Sequence, residues 1–372
     1  YRTGQTEFSF SEETRKRLRT YLVRGGTLIL EATGGRPGFA RSAYAELQKL
    51  FPDRPPYRLT LDHPLYHSYY DMKTINYRPA ALRSGARNGV PSAIGIDIEC
   101  RTAVFFFRYD LSCGWDNQLE KTRPICIGYD IPTARMLGAN LMAYISSERN
   151  AAIPLSKALE YHDATPQKAG KFVIAQAIYH GIWKTRTSAL NMLLNVFHEK
   201  TKVPVRFRRE EVPLDSPKLF DSPMIFMTGH HAFSLTQAEV QNLRNFILRG
   251  GTLLAEACCG RHDFDINFRK AIRVMFPERT LKQVPLDHII FNFPNKITEV
   301  SPSPALARSL KASSKIAPHL EAIEIDGRLA VIYSPYGLSC GWEMAQCPYG
   351  REIQSTDALA LGVNILNYIL LH

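Results

Sequence analysis

Leu243-Arg244-Asn245-Phe246-Ile247-Leu248-Arg249-Gly250-Gly251-Thr252-Leu253 holds the end of a helix and the start of a strand. Val240, Leu243, Phe246 and Ile247 recur at helical spacing, and Ser234-Leu235-Thr236-Gln237-Ala238-Glu239 supplies the start, with Thr236 and Glu239 placed for a capping box. Gly250-Gly251 stops the helix, because glycine enters the left-handed region at little cost. The run Thr252–Ala257 then reads as a buried strand, and Cys258-Cys259-Gly260 as the turn after it. Upstream, Lys171–Ala177, Val203–Phe207 and Asp221–Thr228 read as strands, with a helix over Thr187–His198. Downstream, Phe264–Phe276 reads as a helix, Leu320–Ile325 and Arg328–Tyr333 as a hairpin across Asp326-Gly327, and Ser355–Leu371 as a closing helix. Alternation of this kind predicts a three-layer, doubly wound α/β domain with a mainly parallel sheet.

The same stretch occurs earlier as Leu18-Arg19-Thr20-Tyr21-Leu22-Val23-Arg24-Gly25-Gly26-Thr27-Leu28. Residues 1–66 align with 226–291 without a gap, and 22 of the 66 positions are identical. Leu111-Ser112-Cys113-Gly114-Trp115-Asp116 likewise matches Leu338-Ser339-Cys340-Gly341-Trp342-Glu343. A repeat unit this long buries its own core, so it is a domain rather than a solenoid turn. The expected organisation is therefore two tandem domains, 1–148 and 171–372, joined by a linker at 149–170 that carries Pro154 and Pro166. Tyr1 aligns with Phe226 in the middle of an apolar run, so a counterpart of 171–225 is expected to precede Tyr1.

An apolar content of 45% is that of a globular protein, and no apolar run reaches the roughly 18 residues that span a bilayer. The formal net charge is +11, with basic residues concentrated at Arg15-Lys16-Arg17-Leu18-Arg19 and Arg206-Phe207-Arg208-Arg209. Such runs read as solvated faces or as a polyanion footprint. Interspersed acidic residues and the lack of a nucleic-acid motif weigh against nucleic acid as a partner. Gly25-Gly26 and Gly250-Gly251 precede a strand instead of following one, so they are helix stops and not a dinucleotide loop; no cofactor is implied. Among seven cysteines, Cys113 with Cys126 and Cys340 with Cys347 flank equivalent loops, either as disulfides or as reduced, half-buried thiols. Ligand spacing for a metal is lacking, because no second Cys or His pair lies near either pair in sequence.

The motifs Arg-Gly-Gly-Thr-Leu, Phe-Pro-[Asp/Glu]-Arg, Leu-Asp-His, Asp-Gly-Arg-Leu-Ala-Val at 326–331 and Cys-Gly-Trp-[Asp/Glu], with Tyr179-His180-Gly181-Ile182-Trp183 and Met227-Thr228-Gly229-His230, resemble the bacterial family catalogued as domain of unknown function 4159. The resemblance covers nearly the whole chain, as one truncated and one full copy. It implies a class I glutamine amidotransferase-like (flavodoxin-like) fold, a periplasmic or secreted location, and no established activity.

Cys258 sits where such a fold carries a nucleophile, on the turn between strand and helix, where backbone N–H groups can stabilise an oxyanion. His319 and Glu321 have the His-x-Glu spacing of a base and its orienting acid. Against a catalytic triad, Glu256-Ala257 stands in place of the usual Gly-x, and the first copy has Thr33-Gly34-Gly35 at the turn. The residues common to both copies form a second candidate set. Asp62-His63 and Asp287-His288 suit either a ligand site or a structural bridge, and Glu31 and Glu256 end strands at the edge where doubly wound sheets bind ligands. With Asp116 and Glu343 they are expected to line a polar cleft. The primary expectation is a non-catalytic protein that binds an unidentified ligand or protein partner; a cysteine-dependent amide hydrolase or transferase and a polyanion-binding module are the alternatives.

Overall fold

The computed structural model describes residues 1–118, 125–155, 172–206, 210–312, 314–344 and 347–372. It divides into two units, Tyr1–Lys157 and Ala158–His372. Among the described residues no helix is long and apolar enough to cross a membrane.

In the first unit the chain runs β1 (Arg2–Gly4), α1 (Glu12–Val23), β2 (Leu28–Ala32), α2 (Pro37–Leu50), β3 (Tyr57–Arg58), α3 (Pro79–Arg83), β4 (Ile94–Ile98), β5 (Arg101–Phe107), α4 (Ser112–Trp115) and α5 (Ile131–Leu155). The sheet order is β1-β2-β5-β4-β3, with β1, β2 and β5 parallel and β4 antiparallel to both of its neighbours. Alternation along β5 decides the layers. Val104 and Phe106 join Leu28, Leu30, Phe39 and Leu47 in one core. Phe105 faces the other way and meets Tyr144 of α5 edge-on. Helix α5 continues into the region expected to be linker, because Ala, Glu and Arg are strong helix formers; the rest of that expected linker, 156–170, lies outside the described residues.

The second unit runs β6 (Ile174–Ile178), α6 (Ala189–Thr201), β7 (Glu210–Pro213), β8 (Met224–Gly229), α7 (Gln237–Leu248), β9 (Thr252–Ala257), α8 (His262–Met275), β10 (Lys282–Gln283), α9 (Ile289–Asn292), α10 (Pro304–Leu310), β11 (Glu321–Ile325), β12 (Arg328–Ser334), α11 (Ser339–Trp342) and α12 (Ser355–Leu371). The sheet order is β10-β11-β12-β9-β8-β6-β7. β7, β6, β8, β9 and β12 are parallel, and β11 and β10 continue the sheet in antiparallel fashion. Neighbouring side chains on each strand enter opposite cores. Phe226, Leu254 and Ile332 pack with α6 and α12, whereas Ile225, Leu253 and Val331 pack with α7 and α8. Both faces are therefore covered, which is why the central strands read as continuous apolar runs.

Local chemistry accounts for the boundaries. Thr236 and Glu239 close both halves of the capping box, with Thr236 N donating to Glu239 Oε2 at 2.7 Å and Glu239 N to Thr236 Oγ1 at 3.2 Å. Gly250 follows the helix at φ 105°. Arg328 adds a side-chain donor at the end of α7, giving to Ile247 O at 2.6 Å, which also accepts Gly250 N, and to Gly251 O at 3.2 Å. Arg101 does the same for α1 through Leu22 O and Gly26 O. Asp326 and Gly327, both at positive φ, make the hairpin turn. One expected strand differs. Val205 makes only an isolated bridge to Phe172, and the paired strand is Glu210–Pro213; Pro204 removes a ladder donor from the expected run, and 207–209 lie outside the described residues.

Candidate functional site

The carboxyl end of the second sheet gathers the polar chemistry. Glu256, near the end of β9, pairs with Thr228 on β8 and Ser334 on β12. Its carboxylate accepts Thr228 Oγ1 at 2.9 Å, Ser339 N at 2.9 Å and Leu338 N. Burial, aided by the thiols of Cys258 and Cys340, pushes Glu256 up to about 8 against the pull of these donors. Glu31 repeats the arrangement by accepting Leu111 N and Ser112 N, each at 2.8 Å, and burial raises it as well. Each glutamate thus ties a strand end to the short helix of the Cys-Gly-Trp motif. These two expected ligand-binding residues are engaged in holding the fold.

After β9 the chain turns sharply. Cys259 adopts φ 53° and ψ 18°, a left-handed conformation that costs a residue with a Cβ about 1 kcal/mol or more. Gly34 holds that conformation in the first unit, at φ 64°. Cys258 is completely buried and lies 3.7 Å from Ser339 Oγ and 3.9 Å from Cys340 Sγ. Cys259 Sγ is 3.4 Å from both Cys340 Sγ and Cys347 Sγ. Arg186 donates to Cys347 Sγ and to Glu343 Oε2, each at 2.9 Å. Glu343 also accepts Ser188 N and Ser188 Oγ, so this expected cleft residue is committed to a buried ion pair. Glu352, buried, accepts Cys347 N at 2.9 Å, and burial with the adjacent thiols raises its pKa well above the carboxylate range.

The expected triad of Cys258, His319 and Glu321 does not assemble. His319 Nε2 bonds Glu321 at 3.3 Å and its ring lies beside Tyr336, with no hydrogen bond to Cys258. Glu321 is held by Arg269 through two bonds of 2.6 and 2.8 Å. Burial raises the Glu321 pKa, but the His319 and Arg269 hydrogen bonds and the Arg269 charge outweigh it and bring the group to about 2.

The expected cleft does not form either, because its parts lie at opposite ends of each sheet. Glu31 pairs with Phe107, whereas His63 Nε2 bonds Thr102 Oγ1 at 2.9 Å, five residues back along β5. At 3.3 Å per residue that is about 17 Å. His63 Nδ1 caps Leu65 N at 3.0 Å, and His288 Nδ1 caps Ile290 N at 3.2 Å. The His288 ring lies 5.4 Å from that of Tyr368, whose hydroxyl accepts Leu329 N, again five residues from Ser334 and the Glu256 row. Asp62 and Asp287 are exposed, and Asp116 is exposed and bonded to Gln118. His288 does border a cavity of about 730 Å³ with Lys282, Arg279 and Glu324. Burial lowers its pKa, followed by His372.

No disulfide joins any of the seven cysteines. In the first unit Cys113 and Cys126 are neighbours, and burial raises both thiols. Trp342 is buried and donates to Ala358 O, and Trp115 donates to Ala134 O, so both indoles pack on the last helix. The arginines of the basic run on α1 are paired. Arg15 bonds Glu46 and Glu12, Arg17 bonds Glu13, and Arg19 donates to Leu50 O.

Sequence reasoning missed Cys259, Cys340, Cys347, Arg186 and Glu352 as one constellation. Five residues from four separate segments meet there; the Cys340–Cys347 pair and the Cys258-Cys259 doublet each show part of it in the sequence, but nothing there joins them.

No curated protein matches the chain. The family model described as a domain of unknown function (DUF4159) matches residues 1–145 and 173–370, and the chain belongs to that family.

Proposed function

We propose that this member of the family is a non-catalytic binding or scaffold protein made of two tandem glutamine amidotransferase-like units. The fold reading draws on the parallel strands of the second unit, whose order by chain position is 2-1-3-4-5, the flavodoxin-like doubly wound order. The tandem reading draws on 22 identities in 66 positions and on equivalent pairings, Leu28 with Val104 and Leu253 with Val331. One observation carries the functional reading. The thiol at the nucleophile position is completely buried against Ser339 and Cys340, and the only histidine considered as its base is bonded to an arginine-held glutamate instead. A cysteine nucleophile needs access and an oriented base.

Alkylation of the native protein with iodoacetamide at neutral pH, followed by peptide mapping, tests this. Cys258 is expected to react only after unfolding. Fast alkylation at Cys258 in the native state, with loss of an amide-hydrolysing activity, would refute the non-catalytic reading.

A further inference from the structure

The four cysteines of the second unit lie at one point, and the reading above uses only the burial of Cys258 there. Cys259, Cys340 and Cys347 place their sulfurs, and Glu352 a carboxylate oxygen, within 4.8 Å of one another, and all four residues are buried. A zinc ion with Zn–S bonds of about 2.3 Å in a tetrahedron sets its sulfurs about 3.8 Å apart. The separations of 3.4 Å from Cys259 to its two neighbours fit that edge with small adjustment. Sulfurs this close surround a single ion.

We propose that Cys259, Cys340, Cys347 and Glu352 form a closed, structural zinc site. On binding, each thiol and the Glu352 carboxyl release their protons to solvent, and the sulfur and oxygen lone pairs go to the metal. The site carries net negative charge, and the guanidinium of Arg186, donating to Cys347 Sγ at 2.9 Å, offsets part of it. Arg186 supplies the outer hydrogen bond that orients a ligand.

Two independent features point the same way. Cys259 keeps a side chain at a backbone conformation where the aligned position of the first unit has Gly34. Glycine there would be free of strain, so the thiol is retained against a conformational cost. The first unit also closes the corresponding turn differently. Asp110 accepts Gly34 N and Cys113 N, and Gly337 stands at the position aligned with Asp110. The second unit lacks that carboxylate staple; to the two thiols equivalent to Cys113 and Cys126 it adds Cys259, and it brings Glu352 beside them.

The full chain, purified without added metal, is expected to hold about one zinc per molecule by plasma mass spectrometry, and a chelator is expected to lower its melting temperature. Cobalt substitution is expected to give sulfur-to-cobalt charge transfer and the visible bands of a tetrahedral ion. Cys259→Gly relieves the turn, so it is expected to keep its far-ultraviolet circular dichroism while losing zinc affinity by a hundredfold or more. Cys347→Ser and Glu352→Gln are expected to lose zinc, and Cys258→Ser, Cys113→Ser and Cys126→Ser to keep it. Zinc-free protein with a Cys259–Cys340 or Cys259–Cys347 disulfide overturns the proposal. So does a folded Cys259→Gly variant that retains the metal. Loss in Cys258→Ser with retention in Glu352→Gln overturns the ligand set. Reactivity of Cys258 in zinc-loaded protein would sink the non-catalytic reading alone and leave the metal site standing.

Discussion

Glu321→Gln separates a structural carboxylate from a catalytic one. The Arg269 guanidinium grips Glu321 with two hydrogen bonds, and the side chains are 30% and 13% exposed. Exposed pairs contribute about 0.2–1 kcal/mol, and breaking a buried pair costs about 3–5 kcal/mol. The variant strands little, because Arg269 keeps Asp265 at 2.8 Å. The pKa of about 2 for Glu321 bounds the electrostatic part near 3 kcal/mol, and partial exposure of Arg269 brings the expected loss to about 2 kcal/mol. For a unit of this size that is a melting temperature lower by about 4–8 °C at pH 7. The sign follows from linkage. The folded pKa lies below the unfolded value of 4.5, so the stabilisation is complete above 4.5 and is lost as pH falls toward 2. More than half should be gone by about pH 3. Thermal unfolding followed by circular dichroism at pH 7, 5 and 3 measures the gap between wild type and variant. Equal melting temperatures at pH 7, or a gap that stays constant down to pH 3, would refute the ion-pair assignment and reopen the carboxylate for catalysis.

The other expectations concern the turn and helix chemistry. Glu256→Ala leaves Leu338 N and Ser339 N buried without their acceptor and should cost about 4 kcal/mol, whereas Glu256→Gln keeps an acceptor oxygen and should cost under about 1 kcal/mol; urea midpoints decide, and equal losses would contradict the staple role. Thr236→Ala removes one half of the capping box and should cost about 1 kcal/mol in the same assay. Gly250→Ala meets open space at φ 105° and should cost about 1 kcal/mol. Gly260→Ala combines φ 61° with a Cβ only 2.6 Å from Arg351 O, so it should cost at least twice as much; reversal of that order would mean the turn after β9 is not tightly packed.

Features decided within a few residues were legible in the sequence. The Thr236–Glu239 capping box, the Gly250 stop and the Asp326-Gly327 hairpin each depend on local bonds, and each is present where the spacing put it. The apolar runs of β8, β9 and β12 announced strands covered on both faces. Interactions between distant segments were not legible. Glu256 looks like a ligand-binding carboxylate until the amides of Leu338 and Ser339 arrive from over eighty residues away. Sequence alone suggests that the Asp-His pairs neighbour these glutamates, but after β3 and β10 the chain caps a helical turn with the imidazole and leaves it about 17 Å along the sheet. Metal-ligand spacing searches look for close pairs in sequence, and Cys259 meets Cys340 only because β9 and β12 are adjacent and parallel.

That adjacency also explains why the two turns differ at several positions together. A Cβ built at Gly337 would lie 2.9 Å from Cys259 N and 3.2 Å from Glu352 Cβ. An aspartate there, as at Asp110, would press its Cβ against Cys259 N and Glu352 Cβ, so the turn would have to shift. In the first unit the position bridged to Asp110 is Gly128, which makes room for it, whereas in the second Gly337 is bridged to Glu352. The glycine at 337 and the glutamate at 352 are therefore exchanged together: in each unit the bridge pairs one glycine with one carboxylate residue, and in the second Cys259 N lies against the glycine.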